Sequence, residues 1–178
     1  MTDAQLAQIK ANTERWEGRT AYLYRDSSPA GLATVGCGRM VPTFEDCCAL
    51  PFLPAITRVE WDRLMSEPKG CRASFYQNVT TARLSDAAID ALLDQAVASL
   101  IAQLTAAIYG YENLPDGPQA ALFDMAYNLG VSGLTKGYPK LMTAVGRQDW
   151  ATCAAECHRN GISAQRNQQT ADLFSGSV

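Results

Sequence analysis

The stretch that decides the fold is WEGRTAYLYRDSSPAGLATVGCGR, residues 16–39. A helical pattern ends at Glu17, and an alternating aromatic run then leads to Asp26. A turn rich in serine, proline and glycine follows, and a second run carries Thr34 into Gly-Cys-Gly. Such runs on either side of a turn predict a β-hairpin. It would gather two carboxylates and one hydroxyl around a single turn, so we predict an active site there.

The segment before the hairpin predicts a helix whose last residue is Glu17. Leu6, Ile9 and Trp16 recur near helical spacing, and Gly18 is the residue type that follows a helix C-terminus. A carboxylate beside the negative end of a helix dipole is destabilised, and the neighbouring Trp16 would add desolvation. Both effects favour the protonated acid, so Glu17 is predicted to act as a general acid.

Four more residues of the hairpin leave alternatives open. Tyr22 and Tyr24 share a strand face by the period of two, which suits either a platform for a ligand ring or core packing, with core favoured for at least one. Gly36 and Gly38 leave one strand face without side chains, so that a ligand or backbone can approach closely. Taken alone, this glycine pair more often marks a tight turn.

The rest of the chain is predominantly helical in its pattern. An irregular, proline-bracketed piece occupies 40–83 and contains one helix that starts at the capping box Thr57-x-x-Glu60. Gly133 and Gly137 bracket a predicted loop. The remaining predicted helices cover about 86–109, 118–129, 139–145, 150–159 and 163–174. The fold class predicted is α+β, mainly α, with the apolar 118–129 helix at the centre of a helical lobe.

Composition limits the function classes. The chain has 178 residues, 47% of them hydrophobic and 19% charged, which suits one globular domain. A net charge of -3 argues against a nucleic-acid partner. We expect no membrane insertion, because no window of about 18 apolar residues stands out. The N-terminal residues lack the pattern of a signal peptide, so we expect synthesis in the cytoplasm.

The six cysteines do not predict a metal site. Cys153-x-x-x-Cys157-His158 is spaced more widely than the usual cysteine pair of a zinc site, and a second ligand pair is missing. Buried thiols are the favoured interpretation, and we expect neither a metal nor a cofactor.

The hairpin segment resembles that of the phage-type lysozymes, glycoside hydrolase family 24. That family carries a Glu on its first helix, then an Asp and a Thr on a small hairpin followed by Gly-x-Gly, as Glu17, Asp26 and Thr34 do here. Two departures affect the hairpin geometry. The turn between Asp26 and Thr34 is about two residues longer than the resemblance leads us to expect, and Arg39 stands where the family often has a His.

Two downstream segments extend the resemblance, which covers roughly 3–38 and 84–174. Residues 121–130 are similar to the family's central helix, which ends in aromatic-Asn-x-Gly, and Arg166 lies in a segment similar to its C-terminal helix. The resemblance implies a single lysozyme-like domain over 1–178. Its small lobe would span about 18–84 with an insertion at 40–83, a helix at about 86–109 would join the lobes, and a helical lobe at about 110–178 would hold the first helix.

The implied activity is that of a muramidase that cleaves peptidoglycan between N-acetylmuramic acid and N-acetylglucosamine. Glu17 would be the acid, Asp26 would stay ionised to activate water or stabilise positive charge, and Thr34 would hold the water. Supporting residues would be Tyr24, Gly36, Gly38, Asn128 and Arg166. Arg166 would pair with Glu17 or be an exposed surface residue; Asn128, expected to be buried, would contact ligand or bond the helix end.

Other interpretations stay open at this point. They are an inactive peptidoglycan-binding domain, a lytic transglycosylase and a chitinase-type hydrolase; retention of Asp26 and Thr34 argues against the first two. The domain would act in the periplasm or cell wall, as a monomer. It would be a phage endolysin, the tail of a larger chain or an antibacterial effector. The insertion slightly favours the effector, which would require an immunity protein in the producing cell.

Overall fold

The fold is mainly helical with one small sheet, which confirms the predicted α+β, mainly α class. The structure is a computed structural model that describes residues 2–176. Its sheet has the order β1-β2-β3, from strands β1 (Thr20–Arg25), β2 (Ala33–Gly36) and β3 (Arg39–Val41). Its α-helices are α1 (Asp3–Glu17), α2 (Phe44–Cys48), α3 (Arg58–Ser66), α4 (Asp86–Ala107), α5 (Asp116–Gly137), α6 (Pro139–Arg147), α7 (Trp150–Glu156) and α8 (Ala164–Ser175).

The chain forms two compact units. The hairpin unit comprises residues 13–95, and the helical unit comprises, of the described residues, 2–12 together with 96–176. The boundaries fall within α1 and α4. The predicted assignment of the whole chain to a single domain stays a prediction.

The sheet of the hairpin unit has one strand more than the sequence indicated. The residues after Gly38 were expected to be irregular, but Val35 pairs with Arg39 and Ala33 pairs with Val41, which makes β3 the antiparallel neighbour of β2. A turn at Cys37 and Gly38 allows this pairing, with Gly38 at φ 81°. The prediction that this glycine pattern marks a tight turn is therefore confirmed.

The segment between the sheet and α4 begins its second helix at the predicted capping box. The Thr57 side chain accepts a hydrogen bond from the Glu60 backbone N–H, and the Glu60 side chain accepts one from the Thr57 backbone N–H. Glu60 also accepts two hydrogen bonds from Thr81, and these bonds lower its pKa to about 2. The ionised carboxylate thus fastens the start of α3 to the chain before α4.

The core of the helical unit is the middle of α5, as its apolar sequence predicted. Ala121, Leu122 and Met125 are fully shielded from solvent, and each large apolar side chain so buried contributes about 1.5–3 kcal/mol. At Gly130 the backbone leaves the helical region, with φ 71° and ψ 157°, but the chain resumes a helix and continues to Gly137. The prediction of a loop between Gly133 and Gly137 was therefore wrong, because Gly130 interrupts the helix without ending it.

A glycine permits close packing of α5 against α8. A Cβ atom added to Gly117 would lie 2.3 Å from the backbone oxygen of Leu173. No side chain fits at that distance, so the approach of these two helices depends on the missing Cβ.

Among the described residues, α4 is the one helix that meets the length and composition of a membrane span, which the sequence had not led us to expect. Of the 18-residue window that meets these criteria, 22% is buried within the protein. Here Ile89, Leu93, Val97 and Leu104 of α4 are buried within the protein.

Candidate active site

Glu17 lies where the sequence placed it, as the last residue of α1. Gly18 follows with φ 78°, and its N–H donates to the Glu14 carbonyl at 2.9 Å, which ends the helix. Gly38 lies against the Glu17 side chain: a Cβ there would be 3.5 Å from Glu17 Oε2. A bare backbone on the β2–β3 turn therefore packs against the carboxylate, as the glycine pattern allowed.

Arg19 fastens the end of α1 within the hairpin unit. Its guanidinium contacts Glu14 at 2.5 Å, Asp90 at 2.7 Å and Asp86 at 3.3 Å. The first of these carboxylates is on α1 and the other two are on α4. Arg19 therefore holds the helix end that carries Glu17 against the start of α4, a contact that the sequence had not indicated.

Asp26 organises the turn that follows β1. Its Oδ1 accepts hydrogen bonds from the Ser28 N–H at 3.1 Å, the Ser28 hydroxyl at 2.6 Å and the Leu32 N–H at 3.0 Å. Its own N–H donates to the Leu32 carbonyl at 3.0 Å. Among the described residues, every hydrogen bond to this carboxylate ends on Oδ1. One oxygen thus shapes the turn while Oδ2 is not used by it.

Thr34 and Tyr24 are opposite each other across β1 and β2, so their side chains share one face of the sheet. Thr34 is only 3% exposed, and its hydroxyl donates to the Leu32 carbonyl over a long 3.4 Å. Tyr24 is half-buried. The strand register that pairs Tyr24 with Thr34 also places Asp26 opposite Leu32.

The charges of both candidate carboxylates affect the pKa of Tyr24. Burial raises the pKa of its phenol to about 12, and the negative charges of Glu17 and Asp26 contribute to that rise. A charge acts on a neighbour's pKa only over a short range. The phenol of Tyr24 therefore lies within electrostatic reach of both carboxylates.

The two tyrosines of β1 lie outside the buried core, and their use as a platform for a ligand ring stays a prediction. The register of β1 shifts somewhere between Thr20 and Tyr24, so the regular pairing with β2 is interrupted in that part of the strand. The Tyr22 ring instead packs under the Arg83 guanidinium, 5.2 Å from its centroid. Neither tyrosine belongs to the buried core, so the preference for core at one of them was wrong.

Arg166 is buried, 6% exposed, which rules out the surface alternative. Its Nε donates to Asp124 Oδ1 at 2.9 Å, while Nη2 of Arg159 contacts Asp124 Oδ2 at 2.6 Å. The Thr170 hydroxyl also donates to Oδ2 at 3.0 Å. We call Asp124, Arg159, Arg166 and Thr170 the Asp124 cluster. The predicted pairing of Arg166 with Glu17 stays a prediction.

Asn128 is exposed rather than buried, which corrects the sequence expectation. It lies two residues before Gly130, where α5 is interrupted.

The sequence analysis missed Asp124 and Arg159. A usable signal was present, because an aspartate inside a helix that is apolar nearly all round needs a buried partner. The partner itself is not readable from local patterns, since Arg159 lies in the segment between α7 and α8.

No metal centre is found in residues 2–176: no group of three or more His, Cys, Asp or Glu side chains there is arranged to hold an ion. Four of the six cysteines are buried, at positions 37, 47, 153 and 157, as expected for thiols used in packing.

Comparison with models of known protein families gives a match. A family model described as Phage lysozyme matches residues 14–171, a range that includes Glu17, Asp26, Thr34 and the whole Asp124 cluster. No curated protein sequence matches the chain.

Proposed function

The chain belongs to the phage lysozyme family, and on that premise we propose that it cleaves the β-1,4 bond between N-acetylmuramic acid and N-acetylglucosamine. Membership makes peptidoglycan the substrate class and a lysozyme-type glycosidase the enzyme class. The bond and the residue roles that follow are the proposal.

Hydrolysis of a glycosidic bond needs an acid for the leaving oxygen and a second carboxylate for water or for the oxocarbenium charge. We assign the acid role to Glu17, which ends α1 and packs against Gly38. Asp26 takes the second role, with Oδ1 committed to its turn and Oδ2 directed to the reaction. Thr34 would position the water through its hydroxyl.

The geometry that carries this proposal is that of the hairpin: Glu17 packs against Gly38 of the β2–β3 turn, and Asp26 directly follows β1, where Thr34 lies opposite Tyr24. The pKa of Tyr24 rises to about 12 in part because Glu17 and Asp26 both act on it. That both charges act on one phenol supports the assignment of the two carboxylates to one site. At neutral pH that phenol stays protonated and can donate a hydrogen bond at the site.

Product analysis by mass spectrometry of digested, purified peptidoglycan tests the proposal. Reducing muramic acid ends are expected. Anhydromuramic ends would indicate a lytic transglycosylase, reducing glucosamine ends a different bond, and no released fragments a binding domain; each would overturn the proposal.

Glu17→Gln tests the acid role directly. We expect its rate of release to fall about 10²- to 10⁴-fold, the usual contribution of a general acid. Glu45→Gln, at an exposed glutamate of α2, is the control and should stay within a few-fold of wild type, because an exposed charge contributes little. A Glu17→Gln enzyme at the wild-type rate would remove Glu17 from the mechanism.

Enzymes of this family act on the bacterial cell wall. We propose that the protein acts there as a monomer after release or delivery from the cytoplasm where it is made, as an endolysin or an antibacterial effector. An effector would be neutralised by an immunity protein in the producing cell, and co-purification from that cell would reveal such a partner.

A further inference from the structure

Residues 65–70, at and just after the end of α3, contact the turn that carries Asp26. This segment is more than thirty residues away from the turn in sequence. Arg25, the last residue of β1, makes the central contacts. Its Nε donates to the Gly31 carbonyl at 3.0 Å, and its Nη1 donates to the carbonyls of Met65 at 2.9 Å and Glu67 at 2.6 Å. One guanidinium therefore joins the turn to the C-terminal end of α3.

Two further contacts surround that guanidinium. The Gly70 N–H donates to the Arg25 carbonyl at 3.3 Å, and the Lys69 ammonium donates to the Pro29 carbonyl at 2.5 Å. A Cβ on Gly31 would lie 2.8 Å from Lys69 carbons and 2.9 Å from Arg25 Nη2. Segment 65–70 thus closes tightly over the turn at residues 27–31.

These contacts suit the chemistry of both partners. The last carbonyls of a helix lack intrahelical donors and carry partial negative charge, so a guanidinium is a favourable cap. Arg25 follows Tyr24 on β1, so its side chain leaves the opposite face of the sheet from Tyr24. It can therefore hold the turn from behind while Asp26 serves the site.

We infer that Arg25 is a positioning residue for Asp26, and that segment 65–70 serves as the anchor of the lengthened catalytic turn. This inference rests on the proposed function of Asp26. It gives a role to part of the 40–83 insertion and accounts for how a longer turn keeps a fixed place for the carboxylate.

The test compares Arg25→Met with Arg58→Met. Arg58 is an exposed arginine of α3, the helix whose C-terminal end Arg25 contacts. We expect Arg25→Met to lower kcat on purified peptidoglycan about 10- to 100-fold, as misplaced catalytic groups do, with a smaller change in KM. Arg58→Met should keep the wild-type kcat. A folded Arg25→Met enzyme with unchanged kcat would overturn the inference.

A double-mutant cycle separates positioning from mere stability. In an Asp26→Asn background the Arg25→Met change should cost no further kcat, because Arg25 would act through the Asp26 carboxylate. A full additional loss there would overturn the inference. If Arg25→Met does not fold, Arg25→Lys decides by the same kcat measurement, since it keeps the charge but cannot bridge both sets of carbonyls.

Hydrogen exchange gives a readout that needs no activity. The amides of Ser28 and Leu32, which donate to Asp26 Oδ1, should lose protection in Arg25→Met but not in Arg58→Met. Unchanged protection would overturn the inference even if the wild-type enzyme proved inactive. Inactivity of the wild type with lost protection would instead contradict the proposed function alone.

Discussion

Asp26 and Asp124 are both half-buried aspartates, but their hydrogen-bond and ion-pair partners differ. Asp26 is held by neutral donors, two backbone N–H groups and a hydroxyl, all on one oxygen. Asp124 is held by two buried arginines, Arg159 and Arg166, with donors on both of its oxygens. A carboxylate engaged on both oxygens by cations has no face left for a substrate. The difference fits the proposed function, in which Asp124 is structural and Asp26 takes part in the reaction.

The buried ion cluster gives the largest expected change in stability. Asp124→Asn leaves two buried guanidiniums without their counter-ion, and removal of one partner from such a cluster costs about 3–5 kcal/mol. Urea unfolding followed by circular dichroism measures this loss. Asp172→Asn, also on α8, is the control, because it removes only a carboxylate that accepts an exposed hydrogen bond from Gln168. Equal stability of the two variants would contradict the structural role of Asp124.

Helix packing around the same cluster gives the next largest effect. Gly117→Ala places a methyl group 2.3 Å from the Leu173 oxygen, so α5 and α8 must shift, at a cost of about 1–3 kcal/mol. Gly146→Ala in α6 is the matched control, because its Cβ meets nothing within 4 Å. We expect that control to stabilise by up to about 1 kcal/mol through helix propensity. Destabilisation of both variants by the same amount in thermal melts would argue against close packing at Gly117.

The smallest expected effect is electrostatic, and it tests whether Glu17 lies near Tyr24 in the proposed site of Asp26. Because the charge of Glu17 helps raise the pKa of Tyr24 to about 12, Glu17→Gln should lower that pKa in a spectrophotometric titration. Burial alone raises the pKa of Tyr111, so its titration should not move. The raised Tyr24 pKa also means that its contribution to stability is complete below about pH 10 and declines as pH rises toward 12. If Glu17→Gln leaves the Tyr24 pKa unchanged, the phenol does not lie within electrostatic reach of the proposed acid.

The residues that the sequence predicted well are those fixed by local patterns. The end of α1 at Glu17 and Gly18, and the capping box of Thr57 and Glu60, depend on neighbours within a turn of helix. The strand β3 was missed because it exists only through pairing with β2. The helical stretch after Gly130 was missed because a glycine that follows an asparagine-containing motif reads as a helix end.

The supporting contacts of the site were harder to foresee. Asp124 in an apolar helix was a visible signal of a buried partner, but Arg159 lies 35 residues further on. Arg25 reaches carbonyl groups 40 and 42 residues away. Backbone carbonyls carry no sequence signature, so no pattern in the chain marks them as the anchor of the Asp26 turn.

The most direct test of the contrast compares Asp26→Asn with Asp124→Asn in two measurements, kcat on purified peptidoglycan and free energy of unfolding. In Asp26→Asn the new amide oxygen can still accept the three turn hydrogen bonds, so we predict a large loss of kcat with little loss of stability. Asp124→Asn should show the reverse, a large loss of stability and a much smaller loss of kcat in the folded enzyme. If Asp26→Asn retains wild-type kcat, or if both variants lose activity and stability in equal proportion, the division between a chemical and a structural aspartate is wrong.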